Sequence, residues 1–216
     1  MLDLKALSVR FRDTPRLFPP LTLSVASGRV GTIMGPSGIG KSTLLDAVGG
    51  HLAPGFSMTG SVVLNGRALD GLPPEDRKIG LLFQDAALFP HLSVGDNLAF
   101  GLAPRIHGRQ ARRAAVARAL EEAGLGGMER RDPATLSGGQ RVRVALMRSL
   151  LAEPLALLLD EPFSRLDADL RAEMRAFTFT HLQERAIPAL MVTHDPEDAA
   201  AAGGPVVRIG ERGDPV

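Results

Sequence analysis

The sequence predicts an α/β fold: a parallel-sheet core, an antiparallel β subdomain on its N-terminal side and an α-helical subdomain inserted into the core. Three observations predict it. Val30-Gly31-Thr32-Ile33-Met34 is a short apolar run that passes through a glycine-rich loop into helix-forming residues at Ser42–Val48, the order strand, loop, helix. Leu155–Asp160 and Pro188–Thr193 are apolar without alternation, the pattern of parallel strands covered on both faces. From Val94 to Leu151 the strand pattern disappears and helical patterning replaces it, so a helical insert interrupts the α/β core.

In chain order, residues 1–30 alternate apolar and polar positions, through Leu4, Ala6, Ser8 and Phe11 and then Leu21, Leu23 and Val25. That is the rhythm of antiparallel strands, and Asp13-Thr14-Pro15 and Ser27-Gly28 supply the turns. Gly49-Gly50 stops the helix that follows the glycine-rich loop. Ser61–Gly66 reads as a strand running into a turn, and Ile79–Phe83 as a strand ending at Gln84. The clearest helices are Ala111–Ala123 and Gly139–Leu151, and another joins the last two parallel strands. One domain is expected over 1–216, its core built from 1–85 and 153–216 and its helical subdomain from 86–152.

Composition narrows the function classes. With 44% hydrophobic and 23% charged residues over 216 positions, the chain suits a soluble globular protein with a sizeable core. The absence of cysteine excludes disulfides and thiolate-bound metals and permits a reducing compartment. A net charge of +1, with basic residues scattered apart from a helical cluster at Arg105–Arg118, gives no reason to expect nucleic acid. The start, Met1-Leu2-Asp3-Leu4-Lys5, lacks the build of a signal peptide. No apolar run approaches the length of a membrane span. A cytoplasmic location is expected, which leaves open attachment to a membrane protein.

Gly35-Pro36-Ser37-Gly38-Ile39-Gly40-Lys41-Ser42-Thr43 fits G-x-x-x-x-G-K-[ST], the P-loop. Its glycines remove side chains that would obstruct a phosphate, so backbone N–H groups and the helix N-terminus converge on it. Lys41 is expected on the β- and γ-phosphates and the Ser42 hydroxyl on Mg²⁺. Of 25 basic residues only Lys5, Lys41 and Lys78 are lysines, so Lys41 stands where a compact ammonium is needed. The alternative is a glycine-rich turn with an accidental lysine.

Leu155–Leu159 ends in Asp160-Glu161. Ligands of parallel sheets bind beyond the carboxyl ends of the strands. There Asp160 can hold Mg²⁺, directly or through water, beside Ser42, and Glu161 can orient or deprotonate an attacking water. The alternative is that both acids open a loop and cap the next helix. Leu136-Ser137-Gly138-Gly139-Gln140 opens a helix. Ser137 is a good N-cap, and Gly138-Gly139 exposes amides at a helix start, a second anion site without a lysine. A plain capped helix is the alternative.

Together the P-loop, Leu-Ser-Gly-Gly-Gln and Leu-Leu-Leu-Asp-Glu-Pro resemble the nucleotide-binding subunit of an ATP-binding cassette (ABC) transporter, over nearly the whole chain. The resemblance implies a P-loop NTPase (RecA-like) core that binds ATP and Mg²⁺ and hydrolyses ATP. It implies nucleotide contacts from Gly35, Pro36, Ser37, Gly38, Ile39, Gly40, Lys41, Ser42 and Thr43, and Mg²⁺ ligation by Ser42, Gln84 and Asp160. Glu161 matches the catalytic base, His194 the switch histidine, and Gln84 the glutamine that touches Mg²⁺ and the attacking water. Ser164-Arg165-Leu166-Asp167 matches a dimer-interface loop that is usually Ser-Ala-Leu-Asp, with Arg165 the departure. Phe11 falls where the family's adenine-stacking aromatic lies, with core filling as the competing role and Phe18 as a weaker candidate.

The same resemblance implies a second copy packed head to tail, with Ser137, Gly138, Gly139 and Gln140 closing over the other copy's ATP. It also implies integral-membrane permease subunits, an external substrate-binding protein and a site on the inner face of the plasma membrane. Leu88–Leu102 resembles the importer stretch where the permease docks, and the exporter run Thr-x-Val-Gly-Glu is replaced by Arg131-Asp132-Pro133-Ala134-Thr135. The chain ends soon after Val206–Ile209, so no C-terminal regulatory domain is expected. A soluble ABC ATPase acting on DNA or ribosomes, or a P-loop small-molecule kinase, are the competing classes.

Overall fold

A computed structural model describes residues 1–210; the last positions of the core segment expected over 153–216 lie outside the described residues. The strands and helices are, in order, β1 (Leu2–Phe11), β2 (Leu21–Val25), β3 (Val30–Met34), α1 (Lys41–Gly49), β4 (Phe56–Leu64), β5 (Arg67–Ala68), α2 (Pro74–Arg77) and β6 (Ile79–Leu82). Then come α3 (Val94–Phe100), α4 (Arg109–Glu122), α5 (Gly138–Leu151), β7 (Ala156–Asp160), α6 (Ala168–Glu184), β8 (Ala189–Thr193), α7 (Pro196–Ala202) and β9 (Val206–Arg208). They divide into two compact units, one of 1–81, 155–161 and 175 onward, the other of 82–154 and 162–174.

The first unit holds a four-stranded antiparallel sheet, β2-β1-β4-β5, and a five-stranded sheet, β6-β7-β8-β3-β9, in which β7–β8, β8–β3 and β3–β9 pair in parallel. Every residue of β3 and β8 is buried, as their unbroken apolarity requires. Helix α1 packs against β1, β7 and β8. One core therefore runs from Leu2, Leu4 and Leu7 through Leu44 and Val48 to Leu158, Leu190 and Val192. Gly50 closes α1 with a left-handed φ of 86°, where glycine costs least.

Strand β1 departs from the expected alternation. Ala6 is exposed, whereas Leu7 and Val9 are buried. The pairing with β4 slips between Lys5 and Ser8, and Ala6 has φ 47°. A bulge of this kind adds a residue and inverts the inward phase beyond it.

In the second unit, α3 packs against α4 and α5. Asn97 is fully buried. Its Oδ1 accepts from the Phe89 amide at 2.8 Å, and its Nδ2 contacts the carbonyls of Phe89, Leu92 and Ser93 at 3.0–3.2 Å. One amide thus pins residues 89–93 to α3, since a buried polar group must be paired. Among the described residues no helix is long and apolar enough to cross a membrane.

Candidate active site

The order β7-β8-β3 brings three strand ends side by side. Asp160 pairs with Val192, and Met34 with Thr193. The next residues, Glu161, His194 and Gly35, therefore leave the sheet together at its carboxyl edge, where open α/β sheets take their ligands.

Residues 35–40 turn between β3 and α1, and Gly40 adopts φ 101° at the N-cap of α1, a conformation that a side chain disfavours. Lys41 is buried to 5% exposure. Its Nζ donates to the carbonyls of Gly35 at 2.9 Å and Pro36 at 3.0 Å and lies 3.4 Å from Glu161 Oε1. The ammonium is thus held inside the loop, at the start of a helix whose N-terminal partial charge attracts anions. Pro36, Ser37, Gly38, Ile39 and Thr43 stand in or directly after the same loop.

Ser42 Oγ donates to Asp160 Oδ1 at 3.0 Å. Burial pushes the Asp160 carboxyl up, the Ser42 hydrogen bond draws it back, Glu161 pushes it further up and Lys41 opposes; the net shift is upward. Asp46, one turn into α1, is also raised, chiefly by burial, with His51 opposing and Asp160 adding to the rise.

Glu161 occupies the centre of the group. Lys41 lies against Oε1, while His194 Nδ1 lies 3.2 Å from Oε2. Its amide donates to Val192 O at 3.0 Å, and its φ is 43°. A left-handed non-glycine residue costs about 1–3 kcal/mol and persists where its surroundings impose it. The strain turns this carboxylate between a lysine and a histidine.

Apart from Phe11 and Phe18, the remaining predicted residues lie in the second unit. Gln84 Nε2 donates to Ser164 Oγ at 3.0 Å, and Asp85 forms an ion pair with Arg165. Arg165, the departure noted above, thus ties the segment after β6 to the loop before α6. Asp167 Oδ1 accepts from Leu170 N at 3.0 Å and opens α6. At α5 the capping box is complete: Ser137 Oγ accepts from Gln140 N at 3.3 Å, and Gln140 Oε1 from Ser137 N at 3.0 Å. Of the four first amides, which have no partner within a helix, this leaves those of Gly138 and Gly139.

Phe11 is half-buried, its ring 4.9 Å from that of Phe56 and 5.1 Å from the Arg12 guanidinium. Phe18 is 2% exposed and belongs to the core, so it has no face to offer a base. The sequence reading did not single out Arg175, which meets Asp195, Glu197 and Asp198. An arginine inside a helix carries no local sign of partners 20–23 positions away.

A family model described as ABC transporter matches residues 18–164. The uncharacterized ABC transporter ATP-binding protein YnjD of Escherichia coli is 52% identical over 201 residues, 93% of this chain and 92% of that one. The thiamine import ATP-binding protein ThiQ of Cereibacter sphaeroides is 48% identical over 77% of this chain and 71% of its own. The Fe(3+) ions import ATP-binding protein FbpC of Streptomyces avermitilis is 44% identical over all of this chain and 63% of its own. Among solved structures, the ATP-binding cassette MJ0796, a dimer in a post-hydrolysis state bound to ADP and Pi, has a TM-score of 0.79 at 27% identity, covering 97% of this chain and 94% of that one. CbiO1 of Clostridium perfringens has a TM-score of 0.83 at 27% identity, covering 96% and 84%.

Proposed function

The chain belongs to the ABC transporter family, and we propose that it is the subunit that binds and hydrolyses ATP to drive a separate permease of a bacterial importer. The observation that carries this is the line Lys41–Glu161–His194, with Ser42–Asp160 beside it, at the carboxyl ends of β3, β7 and β8.

Lys41 and the amides of the P-loop bind the β- and γ-phosphates. Glu161 takes the proton of the attacking water, and His194 steadies its second oxygen and faces the γ-phosphate. The Ser42 hydroxyl and the Asp160 carboxylate fit Mg²⁺, a hard cation that prefers oxygen donors and uses one or two carboxylates beside phosphate oxygens. When bound, the ion supplies neutralisation of charge on the transferring phosphoryl group. Phe11 stacks on the adenine.

A second copy supplies the rest. The amides of Gly138 and Gly139, with Ser137 and Gln140 at the same helix start, close on phosphate already neutralised by the other copy's Lys41. ATP then joins two copies head to tail, and hydrolysis releases them. The permease docks on Leu88–Leu102, where Asn97 holds the loop rigid and Phe100 stands 68% exposed. Exposed aromatics of this kind anchor protein interfaces. Held by the permease, the subunit works at the inner face of the plasma membrane, with an external binding protein delivering cargo.

Affinity purification of tagged Glu161→Gln protein from native membranes with ATP, followed by mass spectrometry, tests this. A multi-span permease is expected in the eluate. Recovery of soluble partners alone would contradict the importer reading and leave the ATP site standing.

A further inference from the structure

We infer that Arg175 is a positioning residue for ATP hydrolysis, acting through Asp198 and Thr193 on the loop that carries His194. The inference rests on the reading of His194 given above.

Arg175, on α6, reaches three carboxylates at the start of α7. Its Nε donates to Asp198 Oδ1 at 2.6 Å, Nη1 to Glu197 Oε2 at 3.1 Å and Nη2 to Asp195 Oδ2 at 3.3 Å. Arg175 and Asp198 are both buried. Burial alone would lower the guanidinium's pKa, but its hydrogen bonds to Asp198 and Glu197 outweigh that and hold it above its ordinary value. A buried ion pair contributes little net stability, because desolvating two charges offsets their attraction; its better-attested use is to fix one conformation.

What is fixed here is the backbone on both sides of His194. Asp198 Oδ2 accepts from Thr193 Oγ1 at 2.8 Å, and Thr193 Oγ1 in turn accepts from the Asp195 amide at 3.0 Å. Asp195 is held again by its own side chain, which accepts from Glu197 N at 2.8 Å. Residues 193 and 195 are therefore both anchored to one guanidinium. The His194 ring is 54% exposed, so packing does little to aim it. Its direction toward Glu161 comes from the two anchored peptides that bracket it. The planar arginine fork suits this task, since it can meet several carboxylates at fixed angles, as a lysine cannot.

Thr193→Val tests the relay without removing a buried charge. It is nearly isosteric, cuts the link between Asp198 and the Asp195 amide, and leaves the Arg175 clamp in place. MgATP hydrolysis by the purified chain is expected to fall about 10–100-fold in kcat, the scale of a small misplacement. KM is expected to stay within about twofold, because Lys41 and the P-loop amides that hold the phosphates are unchanged. The His194 imidazole resonance, assigned by its loss in His194→Ala, should move in Thr193→Val and return in Thr193→Ser together with the rate. Arg175→Met should reproduce the loss of kcat and the movement of that resonance. A wild-type kcat in Thr193→Val, or a lowered kcat with the His194 resonance in place, would overturn the relay. Wild-type hydrolysis by His194→Ala would overturn the role of His194 itself, and the relay with it.

Discussion

The two helix starts proposed to take phosphate, at α1 and at α5, are built in opposite ways. At α1 the charges are supplied within the chain: Lys41 inside the loop, Asp160 against Ser42, and Glu161 between Lys41 and His194. At α5 none of Leu136–Gln140 is charged, and the side chains of Ser137 and Gln140 are engaged with each other's backbone. What α5 offers is shape and two glycine amides. In the proposed function the first binds a phosphate and acts on it, and the second completes a site that another charge has neutralised. The difference is what a site shared between two copies requires, and it separates substitutions that stop the chemistry from those that loosen the closure.

The largest effect belongs to the charged half. Glu161→Gln removes the proposed proton acceptor and keeps its shape, so steady-state hydrolysis should fall about 10²–10⁴-fold, the usual contribution of a general base. ATP binding, measured by fluorescent-nucleotide titration, should persist; hydrolysis at the wild-type rate would contradict the assignment. Next, Lys41→Ala removes a charge-assisted contact of about 1.5–3 kcal/mol, which corresponds to about 10–100-fold weaker ATP binding. Equilibrium binding to the isolated chain reads this out, and unchanged affinity would break the phosphate cradle.

The uncharged half should respond differently. A Cβ at Gly139 would lie 2.6 Å from Leu170 Cδ1, the end of a half-buried side chain that can turn away, so Gly139→Ala should cost at most about 1 kcal/mol of stability, the low end of overpacking, seen in the thermal midpoint. Ser137→Ala loses the capping box and should cost about 1 kcal/mol, or about 2–4 °C. Nucleotide affinity of the single chain should stay at the wild-type level in both variants. A loss of that affinity would erase the distinction between the halves.

The smallest effect concerns the stability that the charged half gives up. Burial raises the Asp160 carboxyl above its ordinary value. A raised acid stabilises the fold only while it is protonated, and that contribution is lost as pH climbs through its folded pKa. Asp160→Asn should therefore melt higher than wild type near neutrality in the absence of nucleotide. The gap should narrow as pH falls through the carboxylate range. A gap that widens in acid would mean the carboxylate is stabilising.

The elements around the phosphate site were legible because their signals are local. Val30–Met34 and Leu155–Asp160 are unbroken apolar runs, and the glycine and lysine positions between β3 and α1 leave few other readings. Strand β1 misled because its phase is set by a bulge against β4, a pairing across some fifty positions: Ala6 looked inward on alternation alone, and Leu7 and Val9 took its place. The short α2, β5 and α7 and the first half of β4 carry too little periodicity to be seen. Within the site, residue types were readable and contacts were not. Nothing in the sequence says that Arg165 pairs with Asp85, or that Arg175 gathers Asp195, Glu197 and Asp198, because such pairs form only when separate segments meet.

The most direct test of a site shared between two copies is the solution mass of Glu161→Gln by light scattering, with and without MgATP. Without nucleotide the mass should match the single chain, 22.9 kDa, and with MgATP it should double. A mass that stays at one chain under saturating MgATP, with nucleotide bound, would contradict ATP as the joint between copies.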